Sequence, residues 1–117
     1  MSAQSDLVAR LKADGGVTAL VGSRIYPAPR PVNVQKPVIT YRRITSVGTL
    51  EIDGGVSHYS NRIQINCWDD SYKTANDLSD AVKAALSGYG YIPLITEIYD
   101  DVVNEHGVAL DWSRFSL

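Results

Sequence analysis

From Tyr59 to Trp68 apolar and polar residues alternate, with Tyr59, Ile63, Ile65 and Cys67 on one side and Arg62, Gln64 and Asn66 on the other. Successive side chains of a strand point to opposite faces, so this pattern prescribes a strand with one buried and one wet face. A sheet wet on one side is characteristically antiparallel. The natural partner is Val38 to Val47, rich in β-branched and aromatic residues. Together they read as a long hairpin. The connection, residues 48–58, contains Gly48, Gly54 and Gly55 with Glu51 and Asp53. It exceeds the usual hairpin loop, and long loops often carry function.

Directly after this strand, Tyr72, Ala75, Leu78, Val82, Ala85 and Leu86 make one apolar stripe at helical spacing. The spacing predicts a helix from about Ser71 to Ser87, capped by Asp69 or Asp70 and ended by Gly88. That stripe must be buried, which makes this helix the main cover of the sheet. A shorter helix, Ser5 to Ala13, carries Leu7, Val8 and Leu11, with Ser5 or Asp6 as cap and Gly15-Gly16 to end it; Val17 to Val21 follows as a short turn. Pro27, Pro29 and Pro31 make residues 23–37 an extended surface loop without regular pairing. Near the end, Tyr91 to Val103 and Val108 to Leu117 read as a second hairpin around Asn104 to Gly107, with Val108, Leu110 and Trp112 on one face. The predicted class is α+β. It comprises an antiparallel sheet of two long hairpins, one main helix packed on one face, a short N-terminal helix, and a single domain over residues 1–117.

Composition narrows the function. Hydrophobic residues at 44% and charged ones at 21% belong to an ordinary globular chain. Eleven Lys+Arg face thirteen Asp+Glu, and the basic residues are scattered. A surface for sequence-specific nucleic-acid binding is therefore not expected. No apolar run reaches the roughly 20 residues of a membrane-spanning helix. One cysteine cannot form an internal disulfide, and nothing at the start reads as a signal peptide, so synthesis in the cytoplasm is the expectation.

Catalytic, cofactor and metal sites are not expected either. Asp69-Asp70 falls where a helix cap belongs, and Asp100-Asp101 are neighbours whose side chains diverge on a strand. His58 and His106 fall in predicted turns without a second ligand at metal-binding spacing. Cys67 shares its face with Ile63 and Ile65 and reads as a small core residue. The Gly54-Gly55 loop lacks the lysine and hydroxyl of a phosphate-cradling loop.

Three stretches in this order carry a family resemblance: Val17-Thr18-Ala19-Leu20-Val21-Gly22-Ser23-Arg24-Ile25-Tyr26-Pro27, Lys36-Pro37-Val38-Ile39-Thr40-Tyr41-Arg42-Arg43-Ile44, and Asn61-Arg62-Ile63-Gln64-Ile65-Asn66-Cys67-Trp68 with the helix that follows. Over residues 5–90 the chain resembles the tail-completion, or tail-terminator, proteins of long-tailed bacteriophages. The resemblance implies a virion subunit without cofactor, located at the head-proximal end of the tail. It implies a homo-oligomeric, hexameric ring that caps the tail tube, stops its growth and joins it to the head-tail connector or adaptor. The partners so implied are copies of the chain, the tube protein and the connector. A head-closure protein of the neck is the alternative within this class; a small hydrolase, a metal-binding enzyme and a single-stranded nucleic-acid binder are the alternatives outside it.

The residues expected to meet neighbouring subunits or the tube are Arg42, Arg43, Arg62 and Gln64 on the first hairpin, Glu51, Asp53 and His58 in its connection, and Trp112 and Arg114 on the last strand. Arginine is enriched in protein interfaces. Trp112 and Phe115 lie on opposite faces of one strand, so one of them is expected to meet something outside the subunit's own core.

Overall fold

The computed structural model describes residues 3–50, 56–101 and 104–116. Among these residues the helices are α1 (Ala3–Ala13), α2 (Gly15–Val21) and α3 (Tyr72–Ala85). The strands are β1 (Ile25–Pro27), β2 (Val38–Leu50), β3 (Val56–Asp69), β4 (Tyr91–Asp100) and β5 (Glu105–Ser116). All five strands join one sheet in the order β1-β2-β3-β5-β4. The class is α+β, but the sheet is mixed. β1 runs parallel to β2, from Ile25 opposite Ile39 to Pro27 opposite Tyr41, whereas the other neighbours are antiparallel.

β1 arises within the proline-containing stretch expected to be unpaired loop. A proline is tolerated at the end of an edge strand, where its missing N–H removes no ladder bond. Pro27 occupies that place, and the Ile25 side chain is buried.

Other boundaries shift for local reasons. Gly15 and Gly16 do not end α1; they form the first turn of α2, because Asp14 acts as its cap and accepts a hydrogen bond from the Val17 N–H at 3.0 Å. The cap of α3 is Ser71, whose hydroxyl accepts from the Thr74 N–H, while the Asp69 carboxylate accepts from the Ser71 N–H one step earlier. β2 and β3 extend into the expected connection, pairing as far as Leu50 opposite Val56. His58 therefore belongs to a strand, opposite Thr49, rather than to a turn. Glu51 and Asp53 lie outside the described residues. Likewise Glu105 to Gly107, expected as turn, begin β5, and the chain reverses at Asn104, which has φ of 53°.

Ile39, Ile63, Ile65, Cys67, Val108, Leu110 and Trp112 point to one side of the sheet and join a single buried cluster with Leu7 and Leu11 of α1, Val17 and Val21 of α2, and Ala75, Leu78, Val82 and Ala85 of α3. Each large aliphatic side chain withdrawn from water contributes about 1.5–3 kcal/mol before entropic costs. Trp112 is 1% exposed, so it belongs to this core and is removed from the expected contact surface. Tyr72, expected in the buried stripe, is instead 52% exposed. It occupies the first helical position, beyond the turn that meets the core.

The second face is not simply wet. Trp68 lies across Gly107, where an added Cβ would come within 2.5 Å of the indole ring. The indole N–H donates to the Thr40 hydroxyl at 3.2 Å. The Trp68 ring thus occupies the space that a side chain at the paired position 107 would take. Gly90 is needed for a different reason: at φ of 144° its hydrogen faces the Ser113 carbonyl and the Trp112 ring.

Val82 is fully buried at the centre of the helical stripe. Val82→Asp is expected to cost about 4 kcal/mol or more, by burying an unpaired carboxylate, and to abolish the cooperative thermal transition. A melting temperature equal to that of the parent chain would show that the stripe is not a core.

Candidate assembly surfaces

The sheet register sorts the expected contact residues. On the face away from the core, Arg42, Gln64, Asp111 and Leu94 form one row across four strands. Arg62 stands beside that row, and its guanidinium reaches the Asp111 carboxylate at 2.6 Å. Asp111 is buried although charged, so Arg62 supplies the counter-charge that makes this burial tolerable. Arg42, Arg62 and Gln64 are thus brought together. Arg43, one residue on, faces the other side and is exposed, in the row of Ile63 and Trp112. The backbones of His58 and Arg114 lie in β3 and β5, on strands that pair with each other.

A second charged group holds the proline loop onto this face. Glu105, at the start of β5, is nearly fully buried and accepts from Arg30 at 2.7 Å and from Lys36 at 2.8 Å. Lys36 also bonds Asp70 at 2.7 Å. The Arg30 guanidinium stands 5.8 Å from the centre of the Trp68 ring. The result is an open groove lined by Pro29, Arg30, Arg42, Gln64, Trp68 and Glu105. Sequence reading missed this network, because its members are separated by up to 75 residues and only the fold brings them together. The Asp70 and Glu105 carboxylates raise the Lys36 ammonium above its ordinary value of 10.5, with the Asp70 hydrogen bond as the largest cause.

On the core side, a cleft opens between the start of α3 and β4, lined by Tyr72, Ala75, Asn76, Glu97, Tyr99, His106 and Val108. His106 is not an exposed turn residue but sits between two rings, 5.6 Å from Tyr72 and 4.7 Å from Tyr99. The Tyr72 hydroxyl donates to the Glu97 carboxylate at 3.0 Å, and that bond raises its pKa. Beside the cleft, β4 exposes Leu94, Ile95, Ile98 and Tyr99. This concentration of exposed apolar side chains on one edge strand was not anticipated from sequence, although the β-branched residues of that stretch were its signal.

Among the described residues no group of three His, Cys, Asp or Glu side chains could hold a metal ion. Cys67 is buried among aliphatic groups, and burial pushes its thiol far up, away from the reactive thiolate. What the geometry offers is a set of charged and apolar surfaces for macromolecular contact.

Comparison with known proteins agrees. The family model for tail completion protein gp17 matches residues 5–105, and the chain belongs to that family. It is a structural component of a phage-type tail, and its place is in the virion. Among solved structures, a chain of the virion of a native gene transfer agent particle shares the fold. That likeness has a TM-score of 0.83 at 17% identity and covers 98% of this chain and 94% of the other. No curated protein matches the sequence.

Glu105→Ala leaves Arg30 and Lys36 without their buried acceptor and is expected to cost about 2 kcal/mol in denaturant unfolding. The Lys36 contribution has a defined sign. Its folded-state pKa lies above the unfolded value, so this stability is complete below pH 10.5 and is lost as pH rises through the raised value. Lys36→Met is therefore expected to remove part of the alkaline loss of stability, and an unchanged alkaline limb would contradict the network.

Proposed function

We propose that the chain is a tail terminator: one domain, acting without a cofactor, that assembles into a homo-oligomeric, hexameric ring on the head-proximal end of the tail tube. The ring covers the surface on which a further tube ring would add, and its opposite face receives the head-tail connector. The family match over residues 5–105 carries this reading. The surfaces agree with it, because a ring subunit must meet two copies of itself and two different stacked partners.

In this reading Arg42, Arg62 and Gln64 form a polar contact face, with Arg43 on the other side of the same strand. Glu51 and Asp53, in the connection between β2 and β3, contact the tube or the connector, and His58 and Arg114, on the paired strands β3 and β5, join that contact. The mechanism is geometric: growth stops because the last addition surface is covered.

The test is a polymerisation assay. Tube subunits assembled with increasing amounts of this chain are expected to give shorter tubes, each carrying the chain at one end only. The variant Glu51→Lys/Asp53→Lys is expected to keep the parent melting temperature while losing at least about tenfold in tube binding, since it reverses the charge of the proposed contact. Tubes of unchanged length, decorated along their sides or not at all, would refute the reading.

A further inference from the structure

We infer that neighbouring subunits join head to tail by strand pairing, the outer edge of β4 in one copy adding to the outer edge of β2, beyond Tyr41, in the next. This rests on the ring reading above and goes further by specifying the contact. Two observations point to open edges. β1 covers β2 only at Ile39, Thr40 and Tyr41, so among the described residues no strand lies on the side of Arg42 to Leu50 that faces away from β3. At the other end of the sheet, β4 has β5 on one side and, among the described residues, no strand on the other.

An open edge is a template for pairing, and proteins that remain single usually protect it with lysine, proline or a bulge. β4 has such devices only near its start, at Pro93 and at the irregularity between Tyr91 and Leu94. From Leu94 to Tyr99 it carries no basic residue, and it exposes 54% of Leu94, 42% of Ile95, 39% of Ile98 and 52% of Tyr99. These side chains lie on both faces of the strand, as a strand destined for the interior of a larger sheet requires.

Charge identifies the occupant as a second copy and fixes its orientation. The charged residues of β4 are Glu97 and Asp100, followed by Asp101, all acidic. Those of β2 are Arg42 and Arg43, both exposed and, among the described residues, in no ion pair. Pairing β4 with β4 would set carboxylates against carboxylates, and pairing β2 with β2 would set arginines together. Pairing β4 with β2 opposes unlike charges. The two edges lie on opposite sides of one sheet, with β2 and β4 three strand spacings or roughly 14 Å apart, so the contact is heterologous. A heterologous contact repeats from copy to copy and closes into a ring when the rotation permits, whereas a self-complementary one stops at a dimer.

The experiment exchanges the charges. Glu97→Lys/Asp101→Lys makes both edges basic, and Arg42→Glu/Arg43→Glu makes both acidic. All four side chains are exposed, so the parent melting temperature, measured first, certifies folding. Each double variant alone is expected to weaken assembly, by sedimentation or on tail tubes, at least about tenfold. The quadruple variant, and an equimolar mixture of the two double variants, are expected to assemble within about threefold of the parent. If the Arg42→Glu/Arg43→Glu chain assembles like the parent, the pairing inferred here is wrong while the ring stands. A parent chain that remains monomeric both in solution and on tubes would remove the ring itself.

Discussion

Strand β3 is the constraint from which the rest of the fold follows. It lies in the middle of the sheet, bonded to β2 on one side and β5 on the other, and it buries Ile63, Ile65 and Cys67 completely. A slip of one residue would send these three to the polar face and bring Arg62 and Gln64 under the helices, which fixes the register of both neighbours at once. With β3 in place, Ile39 and Leu110 align beside it, and α3 covers the surface they make.

The strong period of β3 and the stripe of α3 were legible because each is a local pattern of the kind that burial imposes. What was not legible depended on distance or on single atoms. Asp14 as a helix cap was hidden by two glycines that resemble a helix end, and β1 by three prolines that resemble a loop. The depth of Trp112, opposite Ile63, accords with the face it shares with Val108 and Leu110 by alternation, a signal that spoke against its place among the expected contacts. Of the expected contact residues, Arg62 and Gln64 share a face as alternation along one strand predicts, whereas Arg42 joins them only through the register of β2 with β3. His106 needed Tyr72 and Tyr99 beside it before it became part of a cleft.

The two faces of the sheet are organised by different physics. One is closed by aliphatic packing. The other is built from compensated charge, Arg62 with Asp111 and Arg30 and Lys36 with Glu105, so that both acids sit almost out of water, Glu105 at the base of the proline loop. Buried acids are costly unless matched, and each pair here keeps one member partly in solvent, which limits the desolvation of the cation. The arrangement holds a loop of awkward sequence in one position without a second core, so a rather small subunit can present a defined surface there.

The lone sulfhydryl has a consequence for particle durability. Sealed between Ile39 and Val108 in the sheet ladder and held protonated by its apolar surroundings, Cys67 offers neither a nucleophile nor a path for an oxidant. A virion subunit built this way carries at this position no latent cross-link and no oxidation-sensitive switch, so its core can age without being chemically rewired.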